Sequence, residues 1–425
     1  MNKKFNKIHL VVIILLTTSI LHGQGIPVRD TLSMGPGYTD DIFYSLKNGE
    51  ISKAARDTWD IAFFTPRFSA GIIINESNGV ELYTYPNGDT SSWANIDTSG
   101  MSGWKLLQND PEYWEEGAFN RNALGHPDYG WGVYNMVDHS VYGDSLYIVK
   151  SPNGWTKKLW IQKKVSVSNI YIFRFADIDG LGNQYVEFDV SPYETKNFVY
   201  YSLEENEPYD REPEKTSWDL QFTKYIDMVP TNEGDLEPYL VTGATNNVES
   251  FSNNFYPELP TFVDWAAKPF DSTKNAIGYD WKSFDMGLFQ WTIKDSNYYF
   301  VNTVDGDIYR LQFKSWDGSM SGDFVFDKWL VSLSSVNENE LTSNIISIYP
   351  NPAHSDFTIK VTDLESNDNQ LMIMDQAGRM IFNETYSNSN LLSGIELSNL
   401  NLSKGLYLVT IKNKHQTITK KLIIN

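Results

Sequence analysis

Short runs in which apolar and polar residues alternate recur along the chain, as in Tyr299 and Val301 and again in Tyr309, Leu311 and Phe313. A period of two puts one face of a strand in a core and the other in solvent. No stretch keeps helical apolar spacing for more than two or three turns, so the predicted class is all-β. Asn153-Gly154 and Asp305-Gly306 separate pairs of such runs. Each predicts a tight hairpin whose two central positions need positive φ. Near the C-terminus, strand-like runs at 345–350, 357–361, 371–375, 406–412 and 417–424 are set apart by Asn351-Pro352, Ala377-Gly378 and Lys404-Gly405. They predict a small β-sandwich over 345–425, joined through the polar stretch 334–344, with 336–344 as linker.

The first residues break this pattern. Lys3, Lys4 and Lys7 precede an apolar run from Ile8 to Leu16, and small or polar residues follow up to Gly23. That order predicts a signal peptide over 1–24, the run being shorter than the ~20 residues of a spanning helix. No later segment is long and apolar enough to span a membrane. The mature chain is therefore expected outside the cytoplasm. It has no cysteine, which excludes disulfides, thiolate nucleophiles, Cys-bound zinc, iron–sulfur clusters and a lipid anchor on cysteine.

Charge sharpens the division. The net charge is -20, and removing the three N-terminal lysines gives -20 - 3 = -23. Residues 345–425 hold seven basic and seven acidic residues, so the whole excess sits on 25–344. Such a surface repels nucleic acid and anionic lipid, and neither is an expected partner.

Two passages within 25–335 look alike. DIFYSLKNGEISKAARDTWDIAFF (41–64) and NFVYYSLEENEPYDREPEKTSWDLQFT (197–223) share an aromatic run ending Tyr-Ser-Leu, a polar insert, and Trp-Asp-aliphatic-x-Phe. Trp59 and Trp218 stand 218 - 59 = 159 residues apart. YGWGVYNM (129–136) resembles YDWKSFDM (279–286), and the two Gly-turn hairpins follow in the same order. Matched order at similar offsets predicts a tandem repeat with units 25–190 and 191–335. The Trp-Asp motif predicts a strand whose Trp is buried and whose Asp caps a turn.

The C-terminal region resembles the type A sorting domain of the bacterial type IX secretion system. The matching residues are Tyr349-Pro350-Asn351-Pro352-Ala353, Asp375 to Arg379 with Gly378, Leu402 to Tyr407 with Gly405, and Lys420-Lys421-Leu422-Ile423-Ile424. The resemblance implies an immunoglobulin-like sandwich read by the secretion machinery, a Bacteroidetes-type bacterium, and a secreted or cell-surface product. Each repeat also resembles the HmuY-like haem-binding family, through Trp59 to Phe63, Ile74 to Gly79, the hairpin around Asn153-Gly154, Trp218 to Phe222, and Asp305-Gly306. That resemblance implies a tandem pair of HmuY-like β domains, with haem as ligand.

Haem iron takes axial His or Met. Outside the sorting domain the mature chain has two histidines, His126 and His139, and both fall where the family places its ligands. Met136 lies close to His139, and Met286 matches Met136 in the second unit, so these four are the haem candidates. Asp177 and Asp179, in an Asp-x-Asp-Gly run, are candidates for calcium. No nucleophile elbow, zinc-protease helix or phosphate loop is present, and a non-catalytic ligand binder is expected over a hydrolase. The alternative ligand is a surface glycan stacked on Trp93, Trp104, Tyr113, Trp114, Tyr129 and Trp131. A structural or adhesive surface role is the remaining reading.

Overall fold

A computed structural model describes residues 27–332 and 346–424, apart from 232, 249–251, 257–264, 266–267, 352, 354–355, 362–367, 376–378, 399, 401 and 414–416. The predicted signal peptide, the linker 336–344, Pro352 and Gly378 lie outside the described residues. The chain is all-β, with strands over about half its length. It forms two compact units, residues 1–333 and 334–425.

The larger unit contains two sandwiches. In the first, a sheet built on Thr156–Val165 and Ile170–Asp177 faces a four-stranded sheet ordered Glu207–Tyr209, Phe198–Ser202, Ile61–Phe64, Ile72–Ile74. Phe63, Leu82, Trp131, Phe173 and Tyr201 pack between them. In the second, a sheet ordered Val28–Ser33, Asp323–Ser332, Ile308–Trp316, Tyr298–Asn302, Ser252–Tyr256 faces one ordered Leu236–Asn246, Leu220–Pro230, Asp40–Ser45, Gly49–Ala55. Tyr44, Phe222, Trp281, Phe313 and Phe326 fill that core.

The two sequence repeats therefore exchange strands. The first sandwich runs continuously from about residue 56 to 210, whereas the second joins residues 28–55 to 220–332. The chain passes back from the first sandwich to the second between Tyr209 and Leu220. The exchange is reciprocal to the atom. Asp60 Oδ2 accepts the Leu203 N–H at 2.7 Å, and Asp219 Oδ2 accepts the Leu46 N–H at 2.7 Å. Asn75 Nδ2 donates to the Arg56 and Trp59 carbonyls, as Asn247 Nδ2 does to those of Lys215 and Trp218. Both motif tryptophans are buried. The Asp of each Trp-Asp motif does cap a turn, but the turn belongs to the other repeat.

The two predicted hairpins form with a different turn. Only Gly154 and Gly306 adopt positive φ, at 93° and 82°. Their N–H groups donate to Ser151 and Thr303 carbonyls. The glycine thus follows an ordinary turn as a left-handed fourth residue, and Asn153 and Asp305 keep negative φ.

The smaller unit has a three-stranded sheet, Ile346–Tyr349, Phe357–Val361 and Ile395–Leu397, and a four-stranded sheet, ordered Met380–Tyr386, Asn369–Asp375, Gly405–Lys412, Thr417–Ile424. Ile348, Ile359, Ile373, Val409 and Leu422 form its own core. Tyr349-Pro350 is a cis peptide, and Asn351 Oδ1 accepts the Ile423 N–H at 2.9 Å. Gly405 opens the Gly405–Lys412 strand, and Lys421 pairs with Leu408. The sorting motif is thereby tied to the last strand.

Candidate functional site

A wide concavity lies in the second sandwich. It comes from a difference in length between the repeats. From the motif Asp to the capping Asn the first repeat spans 75 - 60 = 15 residues and the second 247 - 219 = 28. In the second repeat the extra residues extend Leu220–Pro230 and Leu236–Asn246 into an arm of eleven-residue strands. The corresponding segment of the first repeat folds back, and its Pro66 and Ser69 carbonyls take the buried Lys164 ammonium.

Between the arm and the hairpin Lys282–Asp285/Gln290–Ile293 opens a cavity of about 620 Å³, within the usual size of a small-molecule site. Tyr38 and Trp316 line it, stacked on one another with ring centroids 5.4 Å apart and planes 9° apart. The arm contributes Lys224, Tyr239 and Val241. The hairpin contributes Phe284 and Trp291, edge to face at 5.3 Å. Tyr279 closes one side. Tyr239, Phe284 and Trp291 are exposed, and together they leave an apolar rim open to solvent.

The hairpin is held against the arm by a close backbone approach. A Cβ on Gly243 would lie 2.2 Å from the Gly278 carbonyl oxygen, so only glycine admits the crossing segment. That segment delivers Trp281, fully buried and stacked on Phe313 at 3.8 Å, and next to it Lys282. The Lys282 ammonium donates to the Thr242 and Tyr279 carbonyls and lies 4.3, 5.1 and 5.7 Å from the rings of Trp281, Trp316 and Trp291. Burial lowers its pKa to about 7. Lys224 Nζ lies 5.8 Å from the Tyr38 ring, and burial lowers its pKa too.

A second, smaller cavity of about 70 Å³ lies at the junction of the sandwiches. Glu76 borders it, accepting the N–H groups of Asn109 and Ile226, and burial raises its pKa to about 7. Asp41 lies between Arg56 and Arg211 at 2.8 and 2.9 Å. The volume suits a few waters rather than an organic ligand.

The residues singled out from sequence lie elsewhere. His126 and His139 are exposed in the first half and converge on Tyr134: the His126 ring lies 5.5 Å from it, and His139 Nδ1 lies 2.6 Å from its hydroxyl. Met136 and Met286 occupy equivalent hairpin tips in the two halves, 74% and 72% exposed. None of the four lines the large cavity. Asp177 is paired with Lys157 at 2.9 Å, and Asp179 accepts the Leu181 N–H. Of the glycan candidates, Trp131 is fully buried core, Trp93 is covered by the Arg174 guanidinium at 4.0 Å, and the Trp114 indole donates to the Asn246 carbonyl. The cavity residues escaped because they come from four segments. The readable signal was the longer arm of the second repeat.

Comparison with known proteins finds one family match within each compact unit. Residues 347–425 match the secretion system C-terminal sorting domain family, and residues 194–327 match the HmuY protein family. The sorting domain makes this a secreted or cell-surface protein. The arm, the hairpin and every cavity residue except Tyr38 fall inside the HmuY match. No curated protein matches the chain. The crystal structure of dimeric latent PorU from Porphyromonas gingivalis aligns with 94% of this chain at 10% identity and a TM-score of 0.15. The chain spans about a third of that protein, 34%, and the likeness carries no argument. Among the described residues no helix is long and apolar enough to cross a membrane.

Proposed function

We propose that this chain is a non-catalytic ligand-binding protein displayed or released outside the cell, and that its ligand is haem, held in the cavity of the second sandwich. The supporting observation is the cavity of about 620 Å³ with stacked aromatic walls, inside residues 194–327. On this reading the first sandwich, residues 56–210, is a second, related unit, whose shorter arm folds back around Lys164. The test is a haemin titration of the secreted chain, followed by Soret absorbance and tryptophan quenching, in wild type and Trp291→Ala. Saturable binding weakened about tenfold by Trp291→Ala supports the cavity, since loss of one stacked aromatic wall is worth roughly that much. A non-saturating titration rejects haem as ligand.

A second reading rests on the convergence of His126 and His139 on Tyr134. It predicts that His139→Ala, and not Trp291→Ala, abolishes the Soret shift.

A further inference from the structure

We infer that Lys282 and Ile293 are the positioning residues of the cavity: their side chains hold the hairpin Lys282–Asp285/Gln290–Ile293 off the strand Ile308–Trp316, and so keep the cavity's outer wall in place. This deepens the proposed ligand-binding role and rests on it. The first sandwich carries a corresponding hairpin, Gly132–Asn135 with Ser140–Gly143. Each hairpin follows a fully buried tryptophan, Trp131 or Trp281. Each is closed by an N–H that donates to that tryptophan's carbonyl, from Asp144 or Lys294. Each turns through a non-glycine residue of positive φ, His139 at 55° and Phe289 at 51°. The long strands beside them correspond as well. Their registers shift between Ile161 and Lys163 and between Phe313 and Ser315. Those points are 313 - 161 = 152 residues apart, the spacing of Gly154 and Gly306.

The two hairpins nevertheless sit differently. In the first sandwich Ser140–Gly143 joins the sheet: Tyr142 pairs with Lys163, Val141 with Lys164 and Ser140 with Val165. In the second the hairpin is a separate two-stranded sheet. Tyr298–Asn302 pairs with Ile308–Trp316 only as far as Leu311. Among the described residues no strand continues along that side of Gln312–Trp316, so a strand edge stays open beside the hairpin. The side chains account for the difference. Gly132 and Gly143 are cross-strand partners, and Lys282 and Ile293 are the partners at the same place. A Cβ on Gly143 would lie 1.7 Å from the Ile161 carbonyl oxygen, so only glycine lets the hairpin approach the sheet this closely. Ile293 packs instead against the core of the second sandwich. The Lys282 ammonium, bonded to the Thr242 and Tyr279 carbonyls, stands 5.1 and 5.7 Å from the rings of Trp316 and Trp291. It lies between strand and hairpin, where the first sandwich has no side chain at Gly132.

Amide hydrogen exchange on the full secreted chain, read by peptide mass spectrometry, reports the ladder, and a haemin titration reports the cavity. In the double variant Lys282→Gly with Ile293→Gly the hairpin is expected to join the sheet. Peptides covering 290–293 and 312–316 should then exchange at least about tenfold more slowly than in wild type. Quenching of tryptophan by haemin should weaken at least about tenfold, because the outer wall has moved. Ile293→Val, which keeps a branched side chain, retains the wild-type exchange rate. The converse substitution, Gly143→Ile, should release the first hairpin and speed exchange over 140–143 and 163–165 at least about tenfold. A double variant that melts cooperatively and exchanges at the wild-type rate over 312–316 would overturn the inference. Haemin binding that survives the newly formed ladder would overturn it too. If the double variant loses its cooperative melt, Gly143→Ile decides, and unchanged exchange over 163–165 rejects the inference. A wild type that takes up no haemin rejects that ligand, and the exchange rates still decide what the two side chains do.

Discussion

Asp60 and Asp219 show how much one side chain does here. Each accepts a backbone N–H from the opposite repeat, and burial raises each pKa to about 6. Glu76 and Glu212 are raised to about 7 by burial. A carboxyl whose folded-state pKa lies above its unfolded value binds more protons when folded. Its stabilising contribution is complete at low pH and is lost as pH rises through the folded pKa. Lys164 and Lys282, lowered to about 7 by burial, act in the opposite sense: they favour the folded state as pH rises from 7 towards the ordinary lysine range. Stability is therefore expected to pass through a minimum near pH 7. Melting curves should give a Tm at pH 5 about 3 °C or more above that at pH 7, since a kcal/mol or two spread over a domain of this size moves Tm by that much. Glu76→Gln with Glu212→Gln should flatten the acid limb. A Tm that falls between pH 7 and pH 5 contradicts the assignment.

Strand exchange gives the elements of the large unit their meaning. Ile61–Phe64 pairs with Phe198–Ser202, and Leu220–Pro230 pairs with Asp40–Ser45. A fragment cut at the sequence repeat, residues 25–190, lacks Phe198–Ser202 and leaves a hydrophobic strand edge open. Residues 56–210 keep all four strands of that sheet and its apolar core. The expected outcome is a cooperative thermal transition for 56–210 and aggregation or no transition for 25–190, read by circular dichroism. The reverse result would mean that the exchanged strands contribute little. The likeness of the two passages was legible, because Trp59 and Trp218 stand in the same Trp-Asp-aliphatic-x-Phe pattern. Which repeat each first strand joins was not, since both pairings satisfy the same alternation of apolar and polar residues.

At the scale of the molecule, the proposed binding cavity and the sorting domain belong to different compact units. The sorting unit has its own core, and the charge excess sits outside it. Removing residues 347–425 should leave the melting of residues 27–333 within about 2 °C of the full chain, as expected for independent sites. The truncated protein should no longer appear outside the cell, as read by immunoblots of cell and medium fractions. Secretion of the truncated chain at the normal level would show that the address lies elsewhere.

The order of residues alone determined the all-β class, the polar break before residue 345 and the sorting motif. Each is written in local period, turn residues or charge, which act over a few neighbouring positions. Tertiary structure alone decided the reciprocal exchange of strands and the cavity. Tyr38, the arm bearing Lys224 and Tyr239, and the hairpin bearing Lys282 and Trp291 lie far apart in the chain, and nothing in their own neighbourhoods marks them as partners. They meet because the longer arm of the second repeat stands away from its sandwich, and Gly243 lets the segment bearing Trp281 and Lys282 cross beneath it.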